Sequence, residues 1–122
     1  MTQNCVALSF PTTPISNELI LDNELSGNAF KLLCLLIQKN DPWTVSKKYL
    51  RQYMSIGQHA TNSAIRDLEW AAYLKRIPYR NPETNLICGT YWLFSQIPGT
   101  IDYELAFATI RRRGFIPYME GI

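Results

Sequence analysis

Four side chains near the middle of this chain, Gln58, His59, Asn62 and Ser63, are spaced as one polar edge at the start of a helix. Their chemistry is hydrogen-bond exchange rather than bond making. The amides of Gln and Asn each present a donor and an acceptor in one plane, the pattern that pairs in bidentate fashion with adenine. An ordinary solvent-facing edge uses the same residue types, so the neighbours matter. Those neighbours are cationic: Lys47, Lys48 and Arg51 precede the edge, and Arg66, Lys75, Arg76 and Arg80 follow it. Phosphate oxygens are natural partners for such a series, giving affinity and salt dependence without direct sequence information.

Chemistry of other kinds finds few residues. His59 is the sole histidine, so a histidine-based metal site lacks partners. Plain surface polarity is a better account of it than a pH switch. No serine or cysteine sits in a recognisable nucleophile context, acidic residues are sparse, and no glycine loop is built to cradle phosphates. Neither an enzyme nor a metal or cofactor is expected. Cys5, Cys34 and Cys88 are odd in number and widely spaced, which excludes a zinc knuckle or a redox dithiol. Cys34 falls in a helical pattern and Cys88 in a strand pattern, so both read as small buried hydrophobes in a reducing cytoplasm.

The chain that must position the polar edge has 122 residues, 47% hydrophobic and 18% charged. That is enough for one domain with a real core. A net charge of +2 is modest, but the cations concentrate between Lys39 and Arg80, opposed there only by Asp41, Asp67 and Glu69. The preceding segment is acidic on balance (Glu18, Asp22, Glu24), so the basic block is a localised electrostatic footprint. The apolar run 32–37 falls far short of the roughly 20 residues needed to cross a bilayer. No basic lead into an apolar signal region opens the chain, so neither a membrane nor secretion is expected.

Periodicity supplies the elements. Residues 6–10 suit an edge strand, and 15–21 a short helical turn after Pro14. Ser26 is a good N-cap for a first long helix whose inward face is Ala29, Leu32, Leu33, Leu36 and Ile37. Asn40-Asp41-Pro42 ends it, proline barring continuation. Residues 43–45 read as extended, and Ser46 caps a second helix with Leu50 and Met54 spaced for burial. A tight turn follows, with Gly57 supplying a shape that side chains resist. A third helix over 58–72 has Thr61, Ala64, Ile65, Leu68 and Ala72 inward. Two helices joined by a short glycine-containing turn form the helix-turn-helix signature. The segments 73–79 and 86–94, separated by the turn formers 80–85, predict a β-hairpin. Thr100 caps a last amphipathic helix ending near Arg113-Gly114. The expected fold class is α+β, mainly α, in a single domain 1–122.

In this order of elements the chain resembles the winged helix-turn-helix domains of phage and plasmid replication proteins and related small prophage regulators. The matching stretches are Pro14-Ile15-Ser16-Asn17-Glu18-Leu19-Ile20, Asp22 with Leu25-Ser26, and Ala29-Phe30-Lys31-Leu32-Leu33. They continue with Trp43, Leu50, Ile56-Gly57, Ala64-Ile65-Arg66-Asp67-Leu68-Glu69, Tyr73-Leu74, Tyr91 and Pro98, so the likeness covers about 14–98. It implies double-stranded DNA binding, with the third helix in the major groove and the hairpin, as the wing, near the backbone. The chain departs from the family at Ala72, where glycine is usual, so the helix must end in another way. The segment Asn81-Pro82-Glu83-Thr84-Asn85 is also less basic than the family's wing.

Together these features predict base reading by Gln58, His59, Asn62 and Ser63. Phosphate binding falls to Lys47, Lys48, Arg51, Arg66, Lys75, Arg76 and Arg80. The role would be transcriptional regulator or replication accessory factor of a mobile element. The rival is an interaction protein of the same fold that docks on a host or phage protein, favoured by the modest charge, the poorly basic wing and the segment 114–122. Arg111-Arg112-Arg113 is explained by the helix dipole, with Asp102 and Glu104 at the opposite end. Of the aromatics Tyr91, Trp92 and Phe94, one side faces the core. The other, with Tyr103 and Phe107, forms either a homodimer surface or a seat for the chain's own last helix.

Overall fold

The computed structural model describes residues 11–118. The expected strand at 6–10 and Cys5 lie outside the described residues. A short helix, α1 (Asn17–Ile20), starts where the Ser16 hydroxyl accepts from the Leu19 N–H at 3.2 Å. The first long helix, α2 (Gly27–Lys39), is capped as expected, Ser26 Oγ accepting from the Ala29 N–H at 3.1 Å. Ala29, Leu32, Leu33 and Leu36 are buried, with Ile37 at the margin. Proline does not stop this helix: Asn40 does so first, taking the left-handed conformation at φ 49° while its N–H reaches Leu36 O. Where residues 43–45 are expected to be extended, Pro42 and Trp43 form a turn with a bend at Thr44, and no strand forms. Asp41 holds that turn by accepting from the Trp43 N–H and the Thr44 hydroxyl, which keeps its carboxyl below the usual range.

The helix pair follows as α3 (Lys47–Met54), capped by Ser46, and α4 (Gln58–Trp70). Leu50 and Met54 of α3 and Thr61, Ala64, Ile65 and Leu68 of α4 are buried together with α2. The unusual backbone of the connecting turn falls on Ser55, at φ 57°, and not on Gly57, which is ordinarily extended at φ −70° and ψ 172°. Gly57 leaves the α4 N-terminus without a side-chain cap. Thr61 is fully buried and donates its hydroxyl to Gly57 O at 3.0 Å, satisfying itself within the first turn.

The exit of α4 corrects a second expectation. Ala72 does not end the helix in a different way from glycine; it adopts the glycine conformation itself, at φ 66°. The Tyr73 N–H donates to Leu68 O at 3.0 Å and the Ala72 N–H to Glu69 O at 3.2 Å. This is the paired bonding of a Schellman motif, with Tyr73 and Leu68 buried in one cluster as the motif requires.

The hairpin is β1 (Leu74–Arg80) and β2 (Ile87–Phe94), paired from Leu74↔Phe94 to Tyr79↔Gly89, with an irregularity at Tyr79/Arg80. Helix α5 (Tyr103–Arg112) follows, capped by Asp102, which accepts from the Leu105 N–H at 3.0 Å. Thr100, the expected cap, instead donates its hydroxyl to Ile97 O. The same Schellman bonding ends α5, here with Gly114 at φ 88°. A last strand, β3 (Ile116–Pro117), adds to the other edge of β1, giving an antiparallel sheet of order β2-β1-β3.

Strand alternation puts two cores on the two faces of this sheet. Leu74 and Trp92 join the buried cluster of α2, α3 and α4, with Phe94 packed against it. Ile77, Tyr79 and Tyr91 join Ala106 and Ile110 of α5, with Trp43, Leu93, Phe107 and Phe115 around them. The last helix therefore seats on its own hairpin, and the part of the expected dimer surface formed by Tyr91 and Phe107 is occupied within the chain. The fold is α+β and mainly helical, and no helix among the described residues is long and apolar enough to cross a membrane.

Candidate nucleic-acid interface

Burial of one face of α4 against α2 fixes which residues look outward. Gln58, His59, Ser63 and Arg66 are exposed, Arg66 lying 3.4 Å from Ser63 Oγ as a donor. No part of the described C-terminal segment covers them. Asn62 differs: it is half-buried, and its Oδ1 is turned inward with no hydrogen-bond donor among the described residues. The expected edge of four is thus an edge of three plus an inward amide.

The seven expected phosphate ligands divide likewise. Lys47, Lys48 and Arg51 stand exposed on α3, and Arg66 is exposed on α4. Of the three from β1, Arg76 alone reaches that surface, lining one groove with Lys47. Arg76 is spent on Glu69 in a bidentate ion pair of 3.0 and 2.8 Å, its guanidinium 5.7 Å from the Trp92 ring. Arg80 is half-buried beside the Tyr118 ring, with its Nε buried. Lys75 pairs opposite Leu93 on the other face of the sheet, the face that α5 covers. Strand alternation alone separates Lys75 from Arg76. An open groove of about 540 Å³ runs between the start of α3 and the hairpin, its walls including Lys47, Glu69, Arg76 and Thr90.

The hairpin tip is held by its own polar groups. Asn81 Oδ1 accepts from the Glu83 N–H at 2.8 Å, and Asn85 takes a left-handed conformation at φ 60°. Beyond them Leu86 and Ile87 are exposed, and no cation stands between Asn81 and Ile87. Cys88, expected to be buried, is exposed next to the strand irregularity, while Cys34 is half-buried and its thiol is pushed up by burial.

One residue that sequence reasoning missed completes the outward stripe of α4. Trp70 is 93% exposed. It follows His59, Ser63 and Arg66 at helical spacing, so the polar-face periodicity could have found it. Behind it, the Tyr73 hydroxyl donates to Asp22 and ties the helix exit to the loop before α2. That bond and the Glu24 N–H hold the Asp22 carboxyl below its usual value, whereas burial and then Asp22 push the Tyr73 phenol up to about 12.

The molecule is thus a small α+β protein with a cationic helix pair exposed on one side and a hairpin packed between two cores. Compared with family models, curated proteins and solved structures, the chain matches none.

Proposed function

We propose that the chain is a winged helix-turn-helix protein that binds double-stranded DNA, as a transcriptional regulator or replication accessory factor of a mobile element. One observation carries this reading. The start of α4 offers Gln58, His59 and Ser63 alongside the exposed cations Lys47, Lys48, Arg51 and Arg66. The side chains at the start of the second helix of such a pair reach base edges, while the first helix crosses the backbone. The hairpin then serves as a wing that adds little charge, so α3 supplies most of the electrostatic grip.

Titration of mixed-sequence duplex DNA at rising salt tests the proposal. Changing Lys47, Lys48 and Arg51 to Ala together weakens binding to every sequence and flattens the slope of log K against log salt by about 0.9 per lost contact. Absence of binding at low salt, or an unchanged slope in the triple variant, refutes it.

The exposed Leu86 and Ile87 on a tip without cations favour a second reading, docking on a host or phage protein. Under that reading the triple variant keeps its biological activity and a Leu86→Ser, Ile87→Ser variant loses it.

A further inference from the structure

The exposed indole of Trp70 has Arg66 one turn before it on α4, but the cleft it borders is lined by carboxylates and by no cation. A cleft of about 450 Å³ at the end of α4 is lined by Glu24, Ser26, Asp67, Trp70 and Ala71. Asp67 accepts from the Ser26 hydroxyl at 3.3 Å, and Asp22 and Tyr73 are joined just behind. Among the described residues neither Glu24 nor Asp67 has an ion-pair partner. Phosphate would meet like charge in this cleft, so the side of Trp70 that faces Glu24 and Asp67 serves a contact other than the DNA edge, although the residue shares the helix stripe. An indole face bordered by two free carboxylates is a receptor for a guanidinium or ammonium group.

This chain carries such groups at its other end. Arg111, Arg112 and Arg113 are exposed at the close of α5. Arg113 lies over the Trp43 ring at 4.3 Å and Arg111 beside Phe107 at 5.9 Å, while Arg112 has no ion-pair partner among the described residues. The two patches cannot meet within one molecule. Trp70 lies just before β1 begins, whereas Trp43 and Arg113 pack about Tyr79 near its end. At about 3.3 Å per residue the strand holds the patches on the order of 15 Å or more apart.

We infer that the Trp70 cleft receives the Arg111–Arg112 end of α5 from a second copy of this chain, head to tail. Because the two surfaces differ, the contact runs on from copy to copy unless its rotation closes a ring or a reciprocal pair in which each cleft takes the other copy's arginines. The contact is small, and binding of neighbouring copies to one duplex would strengthen it through effective concentration. It needs no DNA to be detected.

Sedimentation velocity of the full chain without DNA, over a concentration series at low and high salt, reads the contact. The wild type gains mass with concentration at low salt and loses that gain near 1 M, where the Debye length is about 3 Å. Trp70→Ala, or Arg111→Gln with Arg112→Gln, weakens association about tenfold or more. Trp70 is so exposed that its removal leaves the thermal midpoint unchanged, which a melt of each variant checks. Mixing the two variants gives the decisive result. One retains the arginines and the other the cleft, so the mixture forms one-to-one pairs that grow no further. A wild type that stays monomeric overturns the inference. So does an arginine variant that still self-associates, since Trp70 would then be pairing with itself. A Trp70→Ala variant that loses duplex affinity and keeps its association assigns Trp70 to DNA instead. Each of these outcomes leaves the triple-variant salt test of DNA binding standing.

Discussion

Replacing Ala72 by glycine isolates the backbone energetics at the point where α4 hands over to the hairpin. Ala72 sits at φ 66° in the C′ position of a Schellman motif. The left-handed region costs an L-residue about 1–2 kcal/mol through contact of its Cβ with the carbonyl oxygen. Glycine relieves that strain but gains freedom in the unfolded chain, which returns about 0.4–1 kcal/mol. Losing a half-buried methyl returns a few tenths more, since a fully buried one is worth about 0.8 kcal/mol. The net expectation is a stabilisation of about 0.5 kcal/mol, or roughly 2 °C in the midpoint for a domain of this size. Urea melts followed by circular dichroism measure it, with an unchanged m-value as the condition for reading a free energy. The reciprocal change serves as control. Gly114→Ala places a Cβ at φ 88° in the same position of α5, with no atom within 4 Å to confuse the result, and should cost about 1 kcal/mol. If Ala72→Gly destabilises while Gly114→Ala behaves as stated, the strain ascribed to the α4 exit is refuted.

The remaining predictions concern the hairpin and its supports. Gly89→Ala should destabilise by more than 1 kcal/mol in the same melts, because its Cβ would fall on the Tyr79 phenol, which is clasped between Trp43 and Phe115 and has nowhere to go. Stability should fall as pH rises above 10: an unfolded Tyr73 ionises near 10 whereas the folded one holds its proton to about 12, so the unfolded state binds fewer protons across that window. Tyr73→Phe should flatten that alkaline limb, and an unflattened limb would place the titration at Tyr79 or Tyr91, whose phenols burial also pushes up.

Much of this architecture was legible because local rules agreed with each other. Ser26 and Ser46 cap helices as their positions suggest, and the apolar spacing of α2 and α4 names the buried residues nearly one for one. Where local rules competed, sequence reasoning misjudged the winner. The helix ends within Asn40-Asp41-Pro42 as expected but through left-handed Asn40 rather than the proline, Ser55 took the turn shape assigned to Gly57, and Asp102 took a cap assigned to Thr100. The site was legible in its α3 and α4 parts, since helical spacing separates outside from inside. Its β1 part was not: the sequence places Arg76 near Lys75 and Arg80 but not opposite Glu69, and a bidentate partner seven residues away decides its role. Cys88 was misread because a strand pattern does not reveal that the strand runs out past the core at its tip.

The clasp around Tyr79 carries a consequence for how the chain is made. Its ring is held by Trp43 from the first half of the sequence and by Phe115 from the far end, and β3 joins β1 only at Ile116–Pro117. The helical core can assemble while synthesis is still under way, but the hairpin gains its second face only once Phe115, Ile116 and Pro117 have left the ribosome. A stalled or clipped product would therefore carry a formed helix pair beneath a loosely held pair of strands, with Tyr79, Tyr91 and Ile77 open to the first apolar surface they meet.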